Sequence, residues 1–174
     1  MATFKDVVDF FNRLEGDFAR RAVPRIIAET ATEFFKQRFT TKEWEGTPWP
    51  PAKQPPKRGT LMVRSSALVN SIKPKLANEE RVIISAGSER VPYAQVHNEG
   101  GTIKIPVTDK MRRFAWAMHH NQTGGKGDSQ WKGLALTKKD TLTINMPQRR
   151  FMGPSARLNA LILERFRAAF KGLF

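Results

Sequence analysis

The residues best suited to chemistry in this sequence are its three histidines, His97, His119 and His120. A histidine can act as a general base or bind a metal, but either role needs a carboxylate or a second ligand at a suitable spacing. The sequence has no cysteine, and no acidic residue stands at metal-ligand spacing near any of the three. We therefore favour a packed corner histidine at His97 over a catalytic one, and we set aside a nuclease or metal site at His119 and His120.

The glycine-rich segment 124–127 does not fit a phosphate-binding loop. It lacks both the P-loop spacing and the terminal Lys-Ser/Thr pair whose side chains contact phosphate and Mg²⁺. With no nucleophile–base pair, metal cluster or cofactor loop in the sequence, we expect a protein that is not an enzyme and uses no cofactor.

His97 lies in the segment around which the rest of the chain is arranged, Val91–Gly101. A proline near its start suits the first turn of a helix, and Gly100 and Gly101 can take the positive φ that ends one. Tyr93 and His97 are four residues apart, so they meet on one face of that helix. We predict a corner helix between two strands, with Tyr93, His97, Gly100 and Gly101 as its structural residues.

Long helices are predicted at both ends of the chain. Apolar residues recur every three or four positions over 4–39 and again over 158–173. Pro24 interrupts the first pattern, which predicts either one bent helix or two helices divided between Gly16 and Pro24. A shorter helix is predicted over Leu61–Ile72, and Ser155 is a suitable N-cap for the last one.

Four strands are predicted between these helices. Lys73–Ala77 and Arg81–Ala86 form a hairpin, while Thr102–Val107 and Thr141–Met146 alternate as strands do. An antiparallel meander is the economical topology. The predicted fold class is therefore α+β, a single domain over 1–174 in which an antiparallel sheet of about four strands packs against the long N- and C-terminal helices.

Two segments depart from these regular patterns. The Pro-rich loop at 40–60 contains Trp44 and Trp49, whose rings need a surface to cover. That surface is either a partner subunit, which we favour, or the protein's own body. Residues 108–140 contain a helical pattern followed by three closely spaced glycines, and we predict a flexible insertion at a sheet edge.

The net charge of +14 is concentrated in the second half of the chain. Residues 101–174 carry 14 Lys and Arg against 4 Asp and Glu, whereas residues 1–100 carry 16 against 12. Such a field favours acidic partners, namely nucleic acid, an acidic protein surface or anionic lipid, and does not choose among them. A solvated basic surface is the alternative. No apolar run is long enough for a membrane span, so we expect no membrane partner.

Four blocks of sequence, taken in order, resemble the phage virion morphogenesis proteins of the Mu-type tail completion family. The resemblance covers roughly residues 34–174, and Met111–Lys139 is longer than the common form. Ser66 stands where the family pattern has a glycine. The blocks are Phe39, Gly46 and Trp49-Pro50; Leu61–Ile72; Tyr93–Gly101; and Pro147–Gly153.

The resemblance implies a structural protein for tail completion or head–tail joining, without catalytic chemistry. It implies a homo-oligomeric ring, such as a hexamer, that contacts tail tube or head–tail connector proteins. The protein would act in the host cytoplasm during assembly and then remain in the virion. Its basic half would face an acidic tube, a connector or, non-specifically, DNA. The predicted interface residues are Trp44, Trp49, Arg149, Arg150 and Phe151.

Overall fold

The computed structural model describes residues 17–54, 56 and 58–171. The chain divides into two compact units. The main unit contains the described residues of Met1–Gly100 and Pro147–Phe174, and the inserted unit is Gly101–Met146. The predicted helical pattern before residue 17 lies outside the described residues.

The described residues contain both helices and strands, which confirms the α+β class. The helices are α1 (Asp17–Thr41), α2 (Ala67–Ser71), α3 (Ala94–Glu99), α4 (Asp109–Thr123), α5 (Gln130–Ala135) and α6 (Ala156–Ala169). The strands are β1 (Glu43–Trp44), β2 (Thr47–Pro48), β3 (Lys73–Ala77), β4 (Val82–Ser85), β5 (Gly101–Pro106) and β6 (Thr141–Met146). None of these helices is both long and apolar enough to cross a bilayer.

The strands do not form one sheet of about four strands, and the predicted meander is wrong. They form three two-stranded antiparallel sheets, β1–β2, β3–β4 and β5–β6. Alternating hydrophobicity identifies a strand but not its partner. After β4 the chain turns through α3, and β5 pairs with β6 along its whole length, from Gly101 opposite Met146 to Pro106 opposite Thr141. The hairpin predicted between Lys73–Ala77 and Arg81–Ala86 is confirmed as β3–β4.

The hydrophobic core of the main unit lies between α1 and α6. α1 is continuous through Pro24 within the described residues and supplies three buried phenylalanines. α6 begins at the predicted cap, where the Ser155 hydroxyl accepts a hydrogen bond from the Leu158 amide at 3.0 Å. Arg165 on α6 donates to the Thr30 hydroxyl and pairs with Glu33 on α1. The principal core residues of the two helices are Phe34, Phe35, Phe39, Ile162, Leu163 and Phe166.

The inserted unit contains two helices: α4 covers the helical pattern noted in residues 108–140, and α5 follows the glycines. The Thr108 hydroxyl caps α4 by accepting from the Met111 amide, and Gly124 ends it in the left-handed conformation. The Ser129 hydroxyl caps α5 and also lies 2.9 Å from Nδ1 of the buried His119. His119 thus joins the two helices. The three glycines occupy the short connection between them, which is why the pattern looked irregular.

The helix predicted over Leu61–Ile72 is shorter than expected, because its first half is a turn. Thr60 and Val63 exchange two backbone hydrogen bonds of 2.8 and 2.9 Å, and α2 starts only at Ala67. Ser66, at the N-cap, has φ 57° and ψ 6° and makes no capping hydrogen bond with its side chain. A left-handed backbone strains a residue with a Cβ and costs a glycine little. The structure therefore explains the glycine of the family pattern.

We expect Ser66→Gly to stabilise the protein by about 0.5–1 kcal/mol, since relief of the left-handed strain exceeds the entropy that glycine loses on folding. The melting temperature should rise by about 2–3 °C. Ser65→Gly is the matched control, because Ser65 has no positive φ; it should lower the melting temperature. If Ser66→Gly also has a lower melting temperature than the wild type, the backbone at Ser66 is not strained as we infer.

Candidate assembly interface

Asn98, at the end of the corner helix α3, binds the backbone of a segment more than fifty residues away. Its Oδ1 accepts from the Phe151 and Met152 amides, both at 2.9 Å, and its Nδ2 donates to the Met152 carbonyl at 3.0 Å. The Arg149 amide donates to the His97 carbonyl at 2.8 Å. The corner helix is therefore fixed to Arg149–Met152 by four hydrogen bonds, three of them from one side chain.

The Arg149 side chain fixes the Pro-rich loop to the same place. Its Nε donates to the Pro50 carbonyl at 2.8 Å and its Nη2 to the Pro51 carbonyl at 3.0 Å. Prolines have no amide hydrogen, so this stretch cannot be held by a regular strand ladder. The planar guanidinium supplies two parallel donors from outside. Arg149 is only 6 % exposed, and burial lowers its pKa from the ordinary arginine value.

Trp49 completes this arrangement from the side of the core. Its Nε1 donates to the Arg150 carbonyl at 2.7 Å, and its ring packs edge-to-face on Phe39 with the centroids 5.4 Å apart. The Phe151 ring lies 5.0 Å from the same Phe39 ring. We call this connected set, Trp49–Pro51, His97–Asn98 and Arg149–Met152, the junction. It brings together three of the blocks that carried the family resemblance.

The structure places three of the predicted interface residues, Trp49, Arg149 and Phe151, inside the main unit. They are 7, 6 and 1 % exposed, so they are packed on the protein's own body, which for Trp49 is the alternative that the sequence left open. The β1–β2 hairpin turns the chain back towards α1 and brings the loop to the core. Trp49 then satisfies its indole N–H internally, as buried tryptophans usually do.

Trp44 and Arg150 lie at the edge of the junction and are half-buried. The Trp44 ring packs on Phe34 and Phe35 at centroid distances of 6.2 and 6.3 Å. The Arg150 guanidinium carbon lies 5.2 Å from the centre of the Trp44 ring, a cation–π geometry. Of the five predicted interface residues, these two retain surface that a neighbour can contact.

The four predicted corner residues, Tyr93, His97, Gly100 and Gly101, lie within the corner helix or at its ends. The Tyr93 and His97 rings meet edge-to-face, with centroids 5.5 Å apart. Gly100 has φ 74°, and a Cβ there would lie 3.0 Å from the Gln148 amide. Gly101 continues with φ 142° into β5. A side chain at Gly100 would therefore be strained in its backbone and crowded by the junction.

A pocket of about 330 Å³ opens beside the junction within the main unit. Its walls are the Pro-rich loop, the turn at Thr60–Leu68 and the corner helix. None of the described residues that line it is acidic. Its polar lining is rich in hydrogen-bond donors and is contributed by Gln54, Thr60, Arg64, Ser65, Ser66, Tyr93, His97 and Arg149.

His97 is the one lining residue with a buried polar atom that has no hydrogen-bond partner within the described part of the chain. That atom is Nδ1. Burial lowers the pKa of His97 below its ordinary value, and the positive charge of Arg149 lowers it further. The imidazole is therefore held neutral, and protonating it opposes the folded state.

The other two histidines are not arranged for metal binding. His119 is buried between α4 and α5, while His120 is exposed on the inserted unit. The described residues contain no group of three or more His, Asp or Glu side chains that could hold a metal ion. The contact between His119 and Ser129 is structural, because it joins α4 to α5.

Sequence reasoning did not identify Asn98, whose side chain makes three hydrogen bonds in the junction. Its only signal was its position in the corner helix beside His97, inside a block of the family pattern. Arg38 was also missed because it lay within a helical pattern. It is 1 % exposed, with its guanidinium carbon 4.3 Å from the Phe34 ring centre and Nη1 3.8 Å from the Glu43 carboxylate.

We expect Asn98→Ala to destabilise the protein by about 2–3 kcal/mol, since it leaves two amides and one carbonyl at the junction without partners. Asn98→Asp keeps the accepting oxygen and loses the donor, so it should cost less. Asn70→Ala is the control, because Asn70 is exposed and its side chain makes no hydrogen bond among the described residues. Urea unfolding curves give the comparison. Equal losses for Asn98→Ala and Asn70→Ala would show that the junction contributes little.

We also expect acid destabilisation that depends on His97. Since the folded pKa is lowered, the unfolded chain binds the proton more readily, and the free energy of unfolding falls as the pH drops below about 6.5. Below the folded pKa this contribution becomes constant. His97→Phe keeps an aromatic contact with Tyr93 but cannot titrate. Melting temperatures from about pH 7.5 to 5.5 should therefore vary less in His97→Phe than in the wild type.

The control for this pH series is His120→Phe, at an exposed histidine. It should keep the wild-type dependence on pH. A His97→Phe protein that loses as much stability on acidification as the wild type would show that another group is responsible.

Comparison of the sequence with known protein families gives one match. The model of the phage virion morphogenesis family matches residues 3–171, almost the whole chain. No curated protein and no solved structure matched it.

Proposed function

Because the chain belongs to the phage virion morphogenesis family, we propose that it is a structural protein that completes the tail or joins the tail to the head. It acts as a homo-oligomeric ring, such as a hexamer, against tail tube or head–tail connector proteins. It is not an enzyme. It works in the host cytoplasm during assembly and then stays in the virion, at the tail or where the head joins the tail.

This proposal rests on the atoms to which the polar side chains of the family blocks are hydrogen-bonded. Asn98, Arg149 and Trp49 direct their hydrogen bonds at backbone atoms of their own chain, over separations of 53 to 101 residues. A catalytic site directs such groups at a substrate. Groups that fix loops and helices to one another instead give a rigid subunit, and ring assembly requires that each copy present the same surfaces.

The inserted unit supplies apolar surface for contacts with neighbours. Phe114 and Leu136 are 54 and 59 % exposed, and Ile144 on β6 is also exposed. The buried residues in this unit are Ala115, His119 and Ala135, so its interior is small. A unit with little interior and several exposed apolar side chains is stabilised when a partner covers it.

The charge of the inserted unit supports an acidic partner. It carries eight Lys and Arg against three Asp and Glu. Asp128 is paired with Lys132 at 2.9 Å, which leaves seven Lys and Arg against two Asp and Glu in the rest of the unit. An acidic tube or connector surface fits this field, and so does non-specific contact with DNA phosphates, which we keep as the second candidate function.

Ring assembly is tested by light scattering across a range of protein concentrations. We expect a discrete mass that is a multiple of 19.8 kDa and stays constant above a threshold concentration. Measurements at physiological salt, where the Debye length is about 8 Å, reduce artefacts of the high charge. A mass that rises continuously with concentration, or a monomer throughout, would contradict a ring that forms from this chain alone.

A further inference from the structure

We propose that the acidic turn of the β3–β4 hairpin, Glu79-Glu80, docks in the pocket beside the junction of the next copy. The contact is head-to-tail, and its repetition builds the ring. This inference rests on the ring assembly proposed above and names the two surfaces that meet.

The pocket offers unused hydrogen-bond donors to a carboxylate. Arg64 is exposed at its rim, and its side chain makes no hydrogen bond or ion pair with any described residue. The hydroxyls of Ser65 and Ser66, beside it, are likewise without a described partner. Arg149 also lines the pocket, and no acidic residue is among its described lining residues, so this lining is electropositive. Arginine and hydroxyl donors are the groups that bind carboxylates best.

The apolar part of the lining suits a side chain rather than a free inorganic ion. Leu61, Met62 and Leu68 line the pocket together with Pro56. A glutamate side chain has an aliphatic stem and a charged end, and it can place the first against these residues and the second against Arg64. This combination favours a protein segment as the occupant.

The β3–β4 turn is the best acidic match that the chain itself contains. Glu79 and Glu80 are the only two consecutive acidic residues in the sequence, and both are exposed. Neither forms an ion pair or a side-chain hydrogen bond with any described residue. Glu79 also borders a groove of its own chain lined by Arg20, Arg21 and Arg25, of which Arg25 is paired with Glu29 at 2.8 Å; Glu79 itself pairs with none of them.

The turn is held in shape before any partner arrives. The Asn78 amide donates to the Arg81 carbonyl at 3.1 Å, and the Asn78 side-chain oxygen accepts from the Arg81 amide at 2.9 Å. These two bonds close the turn around Glu79 and Glu80. Less conformational entropy is then lost when the carboxylates bind.

The turn and the pocket belong to the same compact unit, so their relative position is the same in every copy. A contact between two different surfaces of one subunit is heterologous, and it generates a ring when the rotation it imposes closes. Arg64, Glu79 and Glu80 are exposed to solvent. Their charge pairs therefore determine how two copies align more than they add to the affinity between copies.

Cysteine cross-linking tests the contact directly, because the chain has no cysteine of its own. In a protein carrying both Glu80→Cys and Ser65→Cys, a short bismaleimide should join successive copies into a ladder that ends at the ring size. Each single variant should give dimers at most. The control pair is Glu164→Cys with Ser65→Cys, since Glu164 is exposed on α6 and plays no part in the proposed contact.

A charge exchange gives a second measurement that does not depend on the cross-linker. Glu79→Lys with Glu80→Lys, or Arg64→Glu alone, should raise the concentration at which the oligomer forms by about tenfold, and combining them should restore it. Glu164→Lys should change it little. Restoration by the combined variant cannot be explained by misfolding of the separate ones.

The outcomes separate this contact from the ring itself. A ring seen by light scattering with no more ladder from the Glu80/Ser65 pair than from the Glu164/Ser65 pair overturns the contact and leaves the ring standing. A protein that is monomeric at every concentration overturns both. If Arg64→Glu leaves assembly unchanged but weakens binding to a short DNA duplex, the pocket holds phosphate and the proposed contact is wrong.

Discussion

The fold of the main unit depends on how three consecutive loop residues, Trp49, Pro50 and Pro51, obtain hydrogen-bond partners. Two of the three have no amide hydrogen, so they cannot donate to a sheet ladder. Arg149 supplies donors to the two prolyl carbonyls, while the Arg150 carbonyl accepts from the indole of Trp49. Asn98 holds the backbone that follows Arg150 in place. Removing any one of these side chains would leave backbone groups of the junction without their hydrogen-bond partners.

A buried guanidinium without a carboxylate partner is an unusual choice for this task. Its desolvation is unfavourable, and the lowered pKa of Arg149 reflects that cost. The Pro50 and Pro51 carbonyl dipoles, which accept its hydrogen bonds, offset part of this desolvation free energy. In return, the planar fork fixes both prolines at once, which a lysine could not do. The pKa of the neighbouring His97 is lowered first by burial and second by this same positive charge, so the anchoring of the loop also affects the electrostatics of the pocket.

Much of the local structure was predictable from the sequence, because it depends on neighbours in the chain. The periodicity of α1 and α6, the Ser155 cap and the β3–β4 hairpin are signals of this kind. Strand partners and the environment of Trp49 are not, since they depend on residues that are far apart in sequence. The indole of Trp49 and its acceptor are separated by 101 residues, and composition alone does not tell a buried tryptophan from an interfacial one. The order of the family blocks along the chain likewise does not show that three of them meet at the junction.

Electrostatics determine what kind of contact can join copies of this protein. Each copy carries a formal charge of +14, so two copies repel one another at distances within the Debye length, about 8 Å in physiological salt. Apolar contact alone must overcome that repulsion wherever basic surfaces approach. In the contact that we propose, an acidic turn meets a pocket with no acidic residue among its described lining, which reverses the local sign without changing the net charge. The positive excess of the inserted unit would then remain for the acidic partner that we propose, so self-assembly and attachment to other virion components would use separate surfaces of one basic chain.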